Sequence, residues 1–272
     1  MISSLEDTAS RLLRGRLLFI SIILNEYEWA KDALEEPDLR KHPVETLKLI
    51  ARYYLDKGYD RKNVRDLLEQ YILECDAGAS IVLWDNAIES AIRQAAKRPA
   101  VMIDKIVLTK PEMECIENIK GRQAKRLAFT LLCLAKYWDC CRDDNNHWVT
   151  NKNADIMAMA NISASLKRQG ALYRQLEEEG LLHFPVRVDA ISIQVLFMKK
   201  GNPEVEVKDF RNLGYQYLKY KGGAFFECEE CGITTKIKNP ESKRPQKYCA
   251  SCAAKIHTQQ KVNSVMKARM AT

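Results

Sequence analysis

Four cysteines near the end of the chain constrain its fold more than any other feature. They are spaced Cys228-x2-Cys231-x17-Cys249-x2-Cys252. Two C-x2-C pairs at this separation form a metal-site pattern, because each pair can deliver two thiolates to one ion. Together they supply the four tetrahedral sulfurs that zinc prefers. Residues 224–256 contain few apolar side chains and cannot bury a core unaided. Zinc binding in such short segments supplies about 10–16 kcal/mol of apparent free energy. The pattern therefore predicts one structural Zn²⁺ per chain, held by Cys228, Cys231, Cys249 and Cys252. Four cysteine ligands close the shell and leave no position for a catalytic water.

Gly232 permits a tight turn after Cys231, so the first pair is expected on a hairpin. The second pair opens YCASCAAKIHTQQKVNSVMKARM, a run without Gly or Pro that is competent to form a helix. A hairpin pair followed by a helix-start pair resembles zinc-ribbon and treble-clef modules. A redox C-x2-C is the alternative, but its usual βαβ setting is missing. The other five cysteines (Cys75, Cys115, Cys133, Cys140 and Cys141) lie in helical, mostly apolar surroundings, which suits reduced thiols in cytosol rather than a disulfide framework.

The same segment carries the charge. The chain has 43 Lys and Arg against 36 Asp and Glu, a net of +7. Residues 217–272 hold 11 basic and 4 acidic side chains, so the excess lies entirely there. Lys236, Lys238, Lys243, Arg244 and Lys247 fall between the cysteine pairs, and Lys255, Lys261, Lys267 and Arg269 follow them. A local basic segment suggests a polyanion, more often nucleic acid than membrane; a merely solvated tail is the alternative. Tyr217, Tyr220, Phe225 and Phe226 interleave with Lys219 and Lys221, and are expected to pack the metal knuckle rather than stack on bases.

Upstream, the fold class is mainly α. Residues 1–100 are expected as a helical domain. Leu47, Ile50, Ala51 and Tyr54 follow one helical face between Pro43 and Gly58, and Val64, Leu67, Leu68 and Tyr71 repeat the pattern after the N-cap candidate Asp60. A third helix spans about Leu83–Lys97. Met102–Leu108 is expected as a strand, and Thr109 with Glu112 forms a capping box that opens a helix. Gln123–Cys141 is the strongest helix of the chain, with Leu127, Leu131, Leu134 and Trp138 down one face. No apolar run approaches the roughly 18 residues needed to cross a bilayer. The run Leu17–Leu24 follows Arg11, Arg14 and Arg16, but Glu6 and Asp7 precede it and no small-residue cleavage site follows. The chain is expected to stay in the cytoplasm, with no membrane partner.

Residues 101–200 are expected as a winged-helix domain, and 201–272 as a linker plus the zinc module with its basic helix. The order is a long helix, a polar loop at Arg142–His147, an extended piece Trp148–Thr150, a short helix Ala154–Ala160, a turn, and a second helix Ser163–Glu179 ended by Gly180. Two strand-like runs follow, Leu182–Val188 and Ile191–Met198. In that second helix, Leu166, Tyr173, Leu176 and Leu181 are expected inward. Ser163, Ser165, Lys167, Arg168 and Gln169 are expected outward, where the start of a recognition helix reaches DNA bases and phosphates. Arg187, on the hairpin, would meet the adjacent backbone or minor groove. The stretches LAFTLLCLAKYW and ADIMAMANISASLKRQGALYRQLEEEGLL resemble the winged helix-turn-helix modules of bacterial phage and plasmid proteins, including replication initiators and DnaD-like primosome proteins. That resemblance covers about a quarter of the chain and implies duplex DNA as partner.

No phosphate loop, dinucleotide fingerprint or nucleophile elbow occurs. Asp143, Asp144 and His147 (DDNNH) are expected to be a solvated loop. His257 has only Asn263 near it, too loose a set for a ββα-metal nuclease. The expectation is a DNA-binding protein, not an enzyme, acting in replication initiation or transcription control in a bacterial host cell. The alternative is a phage-encoded adaptor that docks on a host enzyme or RNA polymerase. A homodimer through the N-terminal helices is compatible with either.

Overall fold

The structure is a computed structural model that describes residues 22–39, 42–185, 192–242 and 245–270. The chain is mainly α, with ten helices and seven short strands among the described residues. It divides into two compact units, Met1–Asp104 and Lys105–Thr272. No described helix is long and apolar enough to cross a membrane.

The first unit holds α1 (Glu26–Glu35), α2 (Pro43–Asp56), α3 (Arg61–Cys75) and α4 (Ile81–Ala95). Their starts are written locally: Asn25 accepts the Glu28 N–H at 3.0 Å and Asp60 accepts the Asn63 N–H at 2.8 Å. The core gathers the periodic positions of α2, α3 and α4, among them Leu47, Ile50, Val64, Leu68, Tyr71, Ile88 and Ile92. Both ends of the unit are tied by one buried carboxylate. Glu26 accepts from Arg52 Nη1 at 2.7 Å, Arg98 Nη2 at 2.7 Å and the Val101 N–H at 3.0 Å. Burial alone would raise its pKa, but the hydrogen bonds from Arg98 and Val101 and the charge of Arg52 bring it below the ordinary glutamate value.

The second unit is built round α6 (Arg122–Cys141), in which every residue from Leu127 to Ala135 is buried. A helix that is enclosed on all sides needs partners on all sides, and the rest of the unit supplies them. Strand β1 (Ile106–Thr109) pairs antiparallel with β5 (Pro203–Val207), with Ile106 opposite Val207. Thr109 and Glu112 form the expected capping box at the start of α5 (Lys110–Asn118). Glu112 is wholly buried; it accepts the Thr109 N–H at 2.7 Å and the Lys199 N–H at 3.0 Å, and pairs with Lys136 at 2.9 Å. The strand expected over Met102–Leu108 is split. Met102 makes an isolated bridge to Asn25 in the first unit, and only Ile106 onward joins β5.

After α6 come β2 (Trp148–Val149), α7 (Asn153–Met159), α8 (Leu166–Glu178), β3 (Leu182–His183) and β4 (Ile193–Val195). The three strands form one antiparallel sheet in the order β2-β4-β3. The strands are much shorter than the two runs expected from sequence, and residues 186–191 lie outside the described residues. Residues 203–220, assigned to a linker from composition, form β5 and α9 (Leu213–Tyr220). Tyr217 of α9 is buried against Phe129 of α6, rings 5.6 Å apart, and donates its hydroxyl to Glu117 at 2.9 Å. The chain ends in the hairpin β6 (Phe225–Glu227) and β7 (Thr234–Lys236), followed by α10 (Ala250–Met270).

Replacing Glu26 by alanine leaves the buried Arg52 guanidinium without its carboxylate. It is expected to destabilise the first unit by about 3–5 kcal/mol, read from the denaturant midpoint. The Glu26 contribution is fully present above the ordinary glutamate pKa of 4.5 and is lost as pH falls from there through the depressed folded value. The alanine variant should therefore converge on the parent protein in acid.

Candidate metal centre and nucleic-acid interface

The β6–β7 hairpin places the first cysteine pair. Cys228 follows β6, Gly232 takes φ +71° just after Cys231, and the Gly232 N–H donates to the Cys228 carbonyl at 2.9 Å. The second pair lies at the start of α10, where the Ala253 N–H donates to the Cys249 carbonyl at 2.9 Å. The Glu229 N–H reaches the Lys247 carbonyl at 3.0 Å, which brings the two pairs face to face. All four Sγ atoms lie within 4.8 Å of one another, and Cys231 Sγ is 3.8 Å from Cys249 Sγ. A tetrahedral ion with sulfur bonds of about 2.3 Å has edges of about 3.8 Å between its ligands. Cys228, Cys231, Cys249 and Cys252 therefore fit a single four-coordinate metal ion. Among the described residues, Ile233 and Tyr248 are the non-cysteine apolar side chains packed on them.

The thiols share protons unequally. Burial pushes all four up, but the Cys249 N–H and other backbone donors hold Cys228 below the ordinary thiol value. The Ser251 hydroxyl and the Cys252 N–H likewise bring Cys249 down to about 6. Burial keeps Cys231 and Cys252 raised, the latter also by its hydrogen bonds to neighbouring sulfurs. Four thiols this close together suit the exchange of their protons for a cation.

Around the knuckle, Lys236, Lys238 and Lys255 are exposed and make no ion pair with the described residues, and the same holds for Lys261 further along α10. Lys247 is paired with Glu229 at 3.3 Å. Lys243 and Arg244 lie outside the described residues, as does Arg187. The aromatic residues named with them divide: Tyr217 is core, whereas Phe225 packs on Tyr215 with ring centres 5.0 Å apart.

At α8, Ser165 is the N-cap and accepts the Arg168 N–H at 3.4 Å. Ser163, Ser165, Lys167 and Arg168 are exposed. Gln169 is not available: its side chain donates to the Ala164 carbonyl at 2.8 Å and accepts from Asn153 at 2.7 Å, bracing α7 on α8. Leu166, expected inward, is 79% exposed, because the buried residues of α8 are Leu172 and Leu176 and none of the described residues covers its first turn. The outward face adds a residue that sequence reasoning missed. Arg174 is exposed and unpaired among the described residues, one and two helical turns from Gly170, Ala171 and Lys167. The signal was the seven-residue spacing from Lys167, with small residues between that let the backbone approach a partner closely.

The DDNNH loop is a built turn. Asp143 and Asp144 are exposed, but Asp139 accepts from Asn145 Nδ2 and the His147 N–H, both at 2.9 Å, and pairs with the His147 ring. Among the described residues, no metal-binding group of three or more side chains other than the four cysteines occurs. No family model, no curated protein and no solved structure matches the chain.

Substituting Cys249 or Cys228 by serine is expected to reduce bound metal from about one ion per chain to near zero, measured by elemental analysis of protein purified without chelator. Far-UV circular dichroism should retain most of its helical signal, because α6 and the first unit bury their own cores. A metal content unchanged in both variants would show that the ligand set is wrong.

Proposed function

We propose that the chain is a cytoplasmic, non-enzymatic DNA-binding protein of phage or mobile-element type, acting in replication initiation or transcription control. In this reading residues 122–195 are a winged helix-turn-helix, with α6, α7 and α8 as its helices and α8 as the recognition helix. The four-cysteine knuckle holds one structural zinc and adds phosphate contacts. The order helix, strand, helix, turn, helix, two strands, with the sheet arranged β2-β4-β3, supports the winged-helix reading.

The observation that carries DNA binding is the outward face of α8. Lys167 and Arg174 stand exposed and unpaired among the described residues, opposite a buried face of Leu172 and Leu176, and Arg168 is exposed at the edge of that buried face. Helix N-terminal residues reach base edges in the major groove. Leu166 at that end would suit apolar contact with a thymine methyl group. The exposed lysines of the knuckle would supply backbone contacts, which are independent of sequence and sensitive to salt. Zinc is favoured over other ions because four thiolates in a closed tetrahedral set suit it.

A second reading, an adaptor that docks on a host enzyme or RNA polymerase, draws support from α4. Val82 and Leu83 there are 84% and 83% exposed at adjacent positions. Recovery of one stoichiometric protein from bacterial lysate after nuclease treatment, with no duplex binding by the purified chain, would favour that reading.

Replacing Lys167 and Arg174 together by alanine is expected to weaken duplex binding by about 1–3 kcal/mol. Replacing Lys236, Lys238 and Lys255 together should instead flatten the slope of log affinity against log salt by about 0.9 for each phosphate no longer neutralised. Fluorescence anisotropy on a random-sequence duplex at several salt concentrations reads both. Absence of binding at every salt concentration rules out the DNA reading.

A further inference from the structure

We propose that Asn161 and Asn212 form a joint through which the metal-loaded knuckle holds the turn in front of α8, so that loss of the ion loosens the reading helix as well as the knuckle. The inference rests on the zinc reading of the four cysteines but not on DNA binding.

Asn161 lies in the turn between α7 and α8, and Asn212 immediately precedes α9. Both take left-handed backbone angles, φ +54° and +56°. A non-glycine residue holds that conformation only where its surroundings fix it. Here each asparagine fixes the other. Asn161 Nδ2 donates to Asn212 Oδ1 at 2.8 Å, and Asn212 Nδ2 donates to the Thr234 carbonyl at 3.0 Å, at the start of β7. Asn161 Oδ1 accepts the Tyr215 N–H of α9 at 3.0 Å, and its carbonyl accepts from Arg126 Nη1 of α6 at 3.0 Å. Both side-chain amides are bonded at nitrogen and oxygen alike, so each holds the other's orientation.

Two neighbours strengthen the same connection. Arg211, anchored by Asp209, donates its guanidinium to the carbonyl of Cys231, one of the metal ligands. Gly214 brings the first turn of α9 against the end of α7 so closely that a Cβ there would lie 1.9 Å from the Ala160 carbonyl oxygen. Thr234 thus connects to Asn212 and through it to Asn161, Cys231 connects to Arg211, and Gly214, two residues after Asn212, meets Ala160.

Among the described residues the cysteine cluster has little apolar packing beyond Ile233 and Tyr248, so in this proposal the ion fixes the cysteine end of the hairpin, while Phe225 packs its other end on Tyr215. Without the ion, the carbonyls of Thr234 and Cys231 lose their fixed positions. Asn212 then loses a part-buried acceptor and its reason to stay left-handed, and Asn161 loses its partner. The competing expectation is that α9, anchored by Leu213, Tyr217 and Leu218, holds the turn whatever the knuckle does.

Hydrogen exchange by mass spectrometry on the full chain separates these, with zinc content measured in each sample. Stripping zinc from the parent with a chelator is expected to speed exchange about tenfold or more in residues 160–170, as well as in the knuckle, while α6 keeps its protection. The variant Asn212→Asp keeps the acceptor for Asn161 but loses the donor to Thr234. It should bind zinc as the parent does, yet exchange rapidly at 160–170 already, with little further response to chelator. Asn161→Gly, which tolerates the positive φ, should behave alike, and serves if the first variant loses α6 protection. The proposal is overturned if chelation opens the knuckle while 160–170 stays protected, or if both variants match the parent in both states. A chain that takes up no metal from added zinc overturns the zinc reading and the joint together. Exchange coupling without duplex binding leaves the joint standing and removes only the DNA reading.

Discussion

Four sulfurs gathered within 4.8 Å cannot all carry charge unless a cation sits among them. The chain's own donors hold Cys228 and Cys249 below the ordinary thiol value, whereas burial keeps Cys231 and Cys252 above it. A divalent ion there would replace the thiol protons and turn mutual repulsion into a closed set of four bonds. The same hairpin presents the carbonyls of Cys231 and Thr234, which accept from Arg211 and Asn212.

The remaining architecture follows a different rule, in which buried carboxylates tie segments distant in sequence. Glu26 joins the start of the first unit to Arg98 and Val101 at its end. Glu112 joins the cap of α5 to Lys199 and to Lys136 on α6. Each is a charge that is costly to bury alone and satisfied by several donors together. Apolar burial makes these units compact, and the paired charges select one arrangement among those that would bury the same area. The surface is thereby left with few internal obligations. Lys167, Arg168 and Arg174 are exposed on α8 and make no ion pair with the described residues.

Much of this was legible in sequence where the cause is local. The period of Leu47, Ile50 and Ala51, the cap at Asp60 and the box at Thr109 and Glu112 all act within a few residues, and each formed as the pattern predicts. The four-cysteine cluster was legible because its spacing carries the chemistry. The failures are tertiary. Leu166 fits the helical period of Tyr173, yet no element among the described residues reaches the first turn of α8 to cover it. Gln169 looks like a surface residue until Asn153 takes its oxygen. The region after residue 200 has little apolar content, but Tyr217 reaches Phe129 and Glu117 across about a hundred residues of chain, and no window of composition reports that.

These two layers, local and tertiary, meet at the asparagines. Asn161 and Asn212 are ordinary turn residues by composition, and a turn would have formed with glycine at either place. Glycine, however, has no side chain with which to reach another turn. The structure uses asparagine because it tolerates the left-handed backbone and still carries a donor and an acceptor. Without those side chains, the cysteine hairpin and the turn in front of α8 would be held together by α9 alone. Two amides and a glycine contact tie them directly.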